Sequence, residues 1–175
     1  MKNAFTLIEV LLYITIVTVI MSAMMLFAWN VVILGAKNNS QQELYAQARI
    51  ISERINFEIR NANDLNTASS TFDVNLSSNP SNQLSLAIDA PNNPTLFQVI
   101  SGILHIKKGV AVATPLHSNA IEVTSLIFTN YSSADGKTKH CGYELTLSRT
   151  SSSAAKQYQG TVTIKSSAEV RSNPL

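Results

Sequence analysis

The sequence predicts an α+β fold: one long N-terminal helix, half membrane-spanning and half amphipathic, packed on an antiparallel β-sheet. Three observations predict it. No charged residue or His occurs between residues 10 and 36. Apolar residues then recur at helical spacing from Leu44 to Ala62. From Leu84 onward apolar positions alternate with polar ones and are punctuated by Gly and Pro.

The uncharged run comes first. Residues 10–29 number 20, and at about 1.5 Å per residue a helix of that length covers about 30 Å, the thickness of a bilayer core. Glu9 stands at its mouth. An ionised carboxylate in hydrocarbon costs roughly 2.5 to 3.5 kcal/mol on insertion scales, which marks Glu9 as a functional residue in need of a cation. Nothing in cis supplies one as far as Ala36.

The leader differs from a secretory signal, in which a small-residue cleavage site follows the apolar core. Here Lys2 is the only charged leader residue, and the small residue Ala4 precedes the apolar run. A cut after Ala4 removes four residues, keeps the whole span and leaves Phe5 with a free α-amino group. On a neighbouring chain that cation would neutralise Glu9 in the plane of the membrane.

These residues carry a specific resemblance. Ala4-Phe5-Thr6-Leu7-Ile8-Glu9 resembles the prepilin cleavage and methylation motif of type IV pilins and type II secretion pseudopilins. The resemblance implies that a membrane-embedded prepilin peptidase cuts between Ala4 and Phe5 and N-methylates Phe5. It also implies that Glu9 makes the charge pair of assembly. The family has Gly more often than Ala before the cut. By the charges flanking the span, Lys2 on one side and Lys37, Arg49 and Arg54 on the other, the positive-inside rule leans against a cytoplasmic N-terminus. The resemblance places the C-terminal part on the exported side.

In the amphipathic half, Leu44, Ala48, Ile51, Ile55, Ile59 and Ala62 form a stripe along one helical face, which predicts helix–sheet packing. Glu53, Arg54, Glu58 and Arg60 are expected on a solvated face, with weak ion pairs. Between span and stripe, Ser40 and Glu43 fit the capping-box pattern, and Gly35 lies just before. Either a helix break or a continuous rod is compatible with this; the continuous rod is the expectation.

Residues 61–83, rich in Asn, Ser and Thr, predict an irregular connector with at most one short strand around residues 72–76. Strands follow around residues 84–88, 95–100, 103–107, 121–128, 143–147 and 160–165, separated by Pro91, Pro94, Gly102, Gly109, Pro115 and Asp135-Gly136. They are expected to form one sheet with the helical stripe as its cover. The stretch from Pro115 to Phe128 and the segment Gly160-Thr161-Val162-Thr163-Ile164-Lys165 also resemble minor pilins and pseudopilins, more weakly than the N-terminal motif. The organisation is therefore a leader (1–4), a membrane and assembly half-helix (5–36), an amphipathic half-helix (37–62) and an exported connector and sheet domain (63–175).

After removal of the leader, 12 Lys and Arg face 11 Asp and Glu, so no long-range field points to nucleic acid or an acidic substrate. Cys141 is the only cysteine, which excludes an internal disulfide and predicts a small buried residue. His105, His117 and His140 lack metal-ligand spacing, and the enzyme motifs of serine hydrolases, phosphate loops and zinc peptidases are missing. The basic pairs Lys107-Lys108 and Lys137 to His140 read as solvated turns.

No enzyme, cofactor or metal is expected. Through the resemblance, the expected function is structural: a minor pilin or pseudopilin in the cytoplasmic membrane, then in a periplasmic or surface filament. Its partners would be other pilin or pseudopilin subunits, the prepilin peptidase, an inner-membrane assembly platform and, before assembly, membrane lipid. Two other classes stand beside it: a tip module that binds DNA, a surface or a secreted substrate, and a signal-anchored protein unrelated to filaments.

Overall fold

Helix α1 (Leu7–Arg60) runs unbroken through 54 residues, a rod of about 81 Å at the usual rise. The computed structural model describes residues 6–149 and 160–171. Gly35 and Ser40 sit inside α1 and do not interrupt it. Asn61 closes the helix with its backbone N–H on the carbonyls of Phe57 and Ile59.

The chain then forms β1 (Asp64–Leu65), β2 (Gln83–Ala87), β3 (Thr95–Ile100), β4 (Ile103–Lys108) and β5 (Thr114–Pro115), followed by β6 (Ile121–Asn130), β7 (His140–Arg149) and β8 (Thr161–Glu169). All neighbours are antiparallel. They make two sheets where one was expected: a five-stranded sheet in the order β1-β2-β3-β4-β5 and a three-stranded sheet β6-β7-β8. The division falls after Pro115, whose nitrogen has no hydrogen to donate to a ladder.

The Ser101-Gly102 turn links the two sheets. Both residues have positive φ, 51° and 76°, as a two-residue hairpin loop between β3 and β4 requires. The Gly102 carbonyl accepts the Val123 N–H of β6 at 2.8 Å. A side chain at Gly102 would collide with Glu122, its Cβ lying 2.5 Å from Glu122 Cγ.

Residues 72–76 form no strand. Asn75 makes a single bridge to Ile127, and Leu76–Ser78 is a short 3-10 turn. The reason is the Asn75 side chain, whose Oδ1 accepts from Ser77 N and Leu126 N, both at 3.0 Å. It competes with a regular ladder and covers the open edge of β6.

α1 lies along β8 and touches β7. Leu44, Ala48, Ile51, Ile55, Ile59 and Ala62 are buried in a core shared with both sheets, among them Phe97, Leu104, Phe128, Leu145 and Leu147. In β6 the buried positions switch from Ile121 and Val123 to Leu126 and Phe128. A bulge between Val123 and Ser125 shifts the register by one residue and causes the switch.

Glu58 corrects the expectation of a solvated charged face. Only 2% of its side chain is exposed. It follows Ile51 by seven residues and Ile55 by three, so it falls on the buried row with Ala62. Arg54 Nη2 and Lys108 Nζ, the latter from the end of β4, each stand 2.8 Å from its Oε1. Neither contact has hydrogen-bond geometry, so the pairing is one of charge.

Candidate functional site

From Leu7 to Val32 the side chains of α1 are exposed, whereas from Ser40 onward one face is covered. The helix therefore has two unlike halves on one axis. Near the N-terminus it is long and apolar enough to cross a membrane.

Polar side chains within the bare half are satisfied inside the helix. Thr15 Oγ1 donates to Leu12 O at 2.8 Å, Thr18 Oγ1 to Ile14 O at 2.7 Å and Ser22 Oγ to Thr18 O at 2.8 Å. Three hydroxyls that would be costly in hydrocarbon thus carry no open donor. Their spacing from the carbonyls, three or four residues back, was available in the sequence.

Glu9 lies in the first turn of α1, with its N–H on Thr6 O at 3.1 Å. A carboxylate is favoured there, because the first turn presents unpaired N–H groups and the positive end of the helix dipole. Among the described residues it has no cationic partner. Ala4 and Phe5, the residues of the expected cleavage and methylation site, lie outside the described residues.

At the junction of the two halves, Arg149 closes β7 and reaches back to the helix. Its Nη1 donates to Ser40 Oγ at 3.0 Å and Glu43 Oε2 at 2.9 Å. Ser40 and Glu43 are the two residues of the capping-box pattern. With both engaged by Arg149, they anchor the middle of a helix instead of starting one.

Further along, the stripe residues Leu44, Ala48, Ile51, Ile55 and Ile59 fix the helix to the sheets. Polar contacts add direction to that packing. The Tyr143 hydroxyl donates to Ser52 O at 3.0 Å, so its 2.7 Å contact with Ser52 Oγ has the serine as donor. Burial pushes the Tyr143 phenol up from its usual pKa. Asn56 Nδ2 donates to Ser166 Oγ at 3.2 Å. The sequence carried no signal for these partners, which lie more than 90 residues away in the chain.

The residues weighed as other sites take structural places. Cys141 is buried, which pushes its thiol up to about 12 and leaves it unreactive at neutral pH. Leu104 N–H donates to His117 Nε2 at 3.0 Å, so the ring proton sits on Nδ1 and faces Ser118 O at 3.1 Å. Among the basic pairs, Lys108 binds Glu58, Lys137 faces Asp135 and Lys139 faces Asp64. Among the described residues no three His, Cys, Asp or Glu side chains gather to hold a metal ion.

No protein-family model matches the chain, and neither a curated protein nor a solved structure does.

Proposed function

We propose that this chain is a membrane-anchored subunit of a pilin-like filament, a minor pilin or a minor pseudopilin of a type II secretion system. One combination supports the reading. The sequence Phe5-Thr6-Leu7-Ile8-Glu9 leads into α1, which from Leu7 to Val32 is bare and apolar and then, without a break, carries a β-sheet domain.

In this reading the apolar half rests in the cytoplasmic membrane with the sheet domain exported. Prepilin peptidase removes residues 1–4 and methylates Phe5, and an assembly platform draws the helix into a bundle of like helices. Lipid tails are as apolar as the packed helix, so the transfer gains little hydrophobic free energy. Side-chain packing and a Glu9 to Phe5 amine pair between neighbours then select the register. The internally bonded hydroxyls of Thr15, Thr18 and Ser22 let the same surface serve in both surroundings.

Two measurements test it. The intact mass of the membrane form is expected to lack residues 1–4 and to carry one added methyl group; a mature chain that still begins with Met1 refutes the proposal. Glu9→Leu is expected to leave membrane insertion unchanged and to reduce recovery with the major subunit. Equal recovery would remove the charge pair from the mechanism.

A further inference from the structure

The end of α1 carries more positive charge than the fold uses. Arg49 is paired with Glu53, and Arg54 and Lys108 share Glu58. Arg60 and Arg171 have no carboxylate partner among the described residues. Arg171 N–H donates to Arg60 O at 3.3 Å, so the backbone sets the two residues side by side. Both line an open cleft of about 560 Å³ along the helix face of Glu53, Asn56, Phe57 and Asn61. A helix C-terminus has a partial charge of only about half an electron, which one guanidinium answers. The second comes from a different part of the chain.

We infer that this cleft binds a carboxylate side chain of a neighbouring protein subunit, gripped by Arg60 and Arg171, with an apolar residue beside it resting on Phe57. The inference rests on the filament reading for the identity of the neighbour. The chemistry follows from the lining. Planar guanidinium forks match a carboxylate in two parallel hydrogen bonds, and the Asn61 amide adds a donor at the rim. Phe57 is 55% exposed, with the Arg54 guanidinium 5.8 Å from its ring centroid.

Charge and distance exclude the other anions. Glu53 lines the same cleft seven residues, about 10.5 Å along the helix, before Arg60, so a long polyanion such as nucleic acid would run past a carboxylate that a single acidic side chain held at Arg60 stays clear of. A lipid phosphate is out of reach, because the helix rises about 36 Å between Ala36 and Arg60.

The test uses the full-length chain in its native membrane, with a photoreactive benzophenone amino acid in place of Phe57. Irradiation is expected to give a protein adduct whose attached peptide contains Asp or Glu beside the point of attachment. Arg60→Gln with Arg171→Gln should lower its yield about tenfold, a loss of about 1.4 kcal/mol, whereas Lys137→Gln, at an exposed lysine that faces Asp135 outside the cleft, should leave it unchanged. In the otherwise unchanged chain, raising the ionic strength to about 0.5 M should lower the yield too, which reads the charge contact without a folding change. Adducts confined to lipid or nucleic acid, no adduct, or a yield indifferent to salt would overturn the inference. The intact mass scores the filament reading separately: a chain that keeps Met1 and still gives the acidic-peptide adduct refutes that reading and leaves the cleft assigned.

Discussion

Lys108→Met tests how the helix end is held to the sheets. The substitution keeps a side chain of similar length and removes the one cation among the described residues that reaches Glu58 from outside α1, 2.8 Å from its Oε1. Glu58 is 2% exposed and cannot be rehydrated without opening the helix–sheet contact. Stranding a buried charge costs about 3 to 5 kcal/mol, and Arg54, 43% exposed at 2.8 Å, remains to offset part of that. The expected destabilisation is therefore about 2 to 3 kcal/mol, below the full range because one cation stays. Urea unfolding of a fragment beginning at Lys37 measures it, since the buried core begins at Leu44. The double variant Glu58→Leu with Lys108→Met removes both charges and should recover most of the loss. A Lys108→Met fragment within about 0.5 kcal/mol of the parent, in the range of a surface substitution, would refute the reasoning.

Two further expectations concern the sheet domain. Cys141 and Tyr143 both have folded-state pKa values above their ordinary ones, 9.0 and 10.0, because burial disfavours their anions. The folded state then holds protons that the unfolded chain has lost, so stability present below pH 9 declines as the pH rises toward about 12. Between pH 9 and 10 the thiol dominates, with a limiting slope of about 1.4 kcal/mol per pH unit that Cys141→Ala should flatten in urea melts. An unchanged slope would place the alkaline loss elsewhere. His117→Ala should cost about 1 to 3 kcal/mol, because the Leu104 N–H loses its acceptor in a buried place. Thermal melts of the same fragment measure it, and an unshifted midpoint would mean that water replaces the ring.

Period-two alternation was enough to locate most strands. The reading for β3 coincided with its observed bounds, because Pro94 and the Ser101-Gly102 turn mark both ends. β6 and β7 proved longer than read, since their ends carry Thr129, Asn130, His140, Ser148 and Arg149, which no hydrophobic pattern marks. The split into two sheets was hidden for a related reason: alternation says that a face is buried, not which strand lies beside it. Glu58 was different, since its place on the row of Ile51, Ile55 and Ala62 was legible from spacing alone. Lys108 as its partner was not, because that contact joins the end of α1 to the end of β4, 50 residues apart.

At the candidate site, Glu9 and the apolar run were visible because composition alone sets them apart. The grip of Arg149 on Ser40 and Glu43 was not. A capping-box pattern describes a local competition for backbone N–H groups, and here an arginine more than 100 residues away engages both side chains. The cleft at Arg60 and Arg171 was equally hidden, since only the folded chain brings the segment just after β8 to the end of α1.

Arg149 also decides what happens when the outer domain is pushed. A head joined by a loose strap would swing and absorb the load, but this one is clamped to its stalk just beyond Lys37. In the proposed membrane setting, a sideways push on the sheets reaches the bilayer as leverage on a mast about 81 Å long. In that setting the apolar half would take up as torque what a loose neck would absorb by bending.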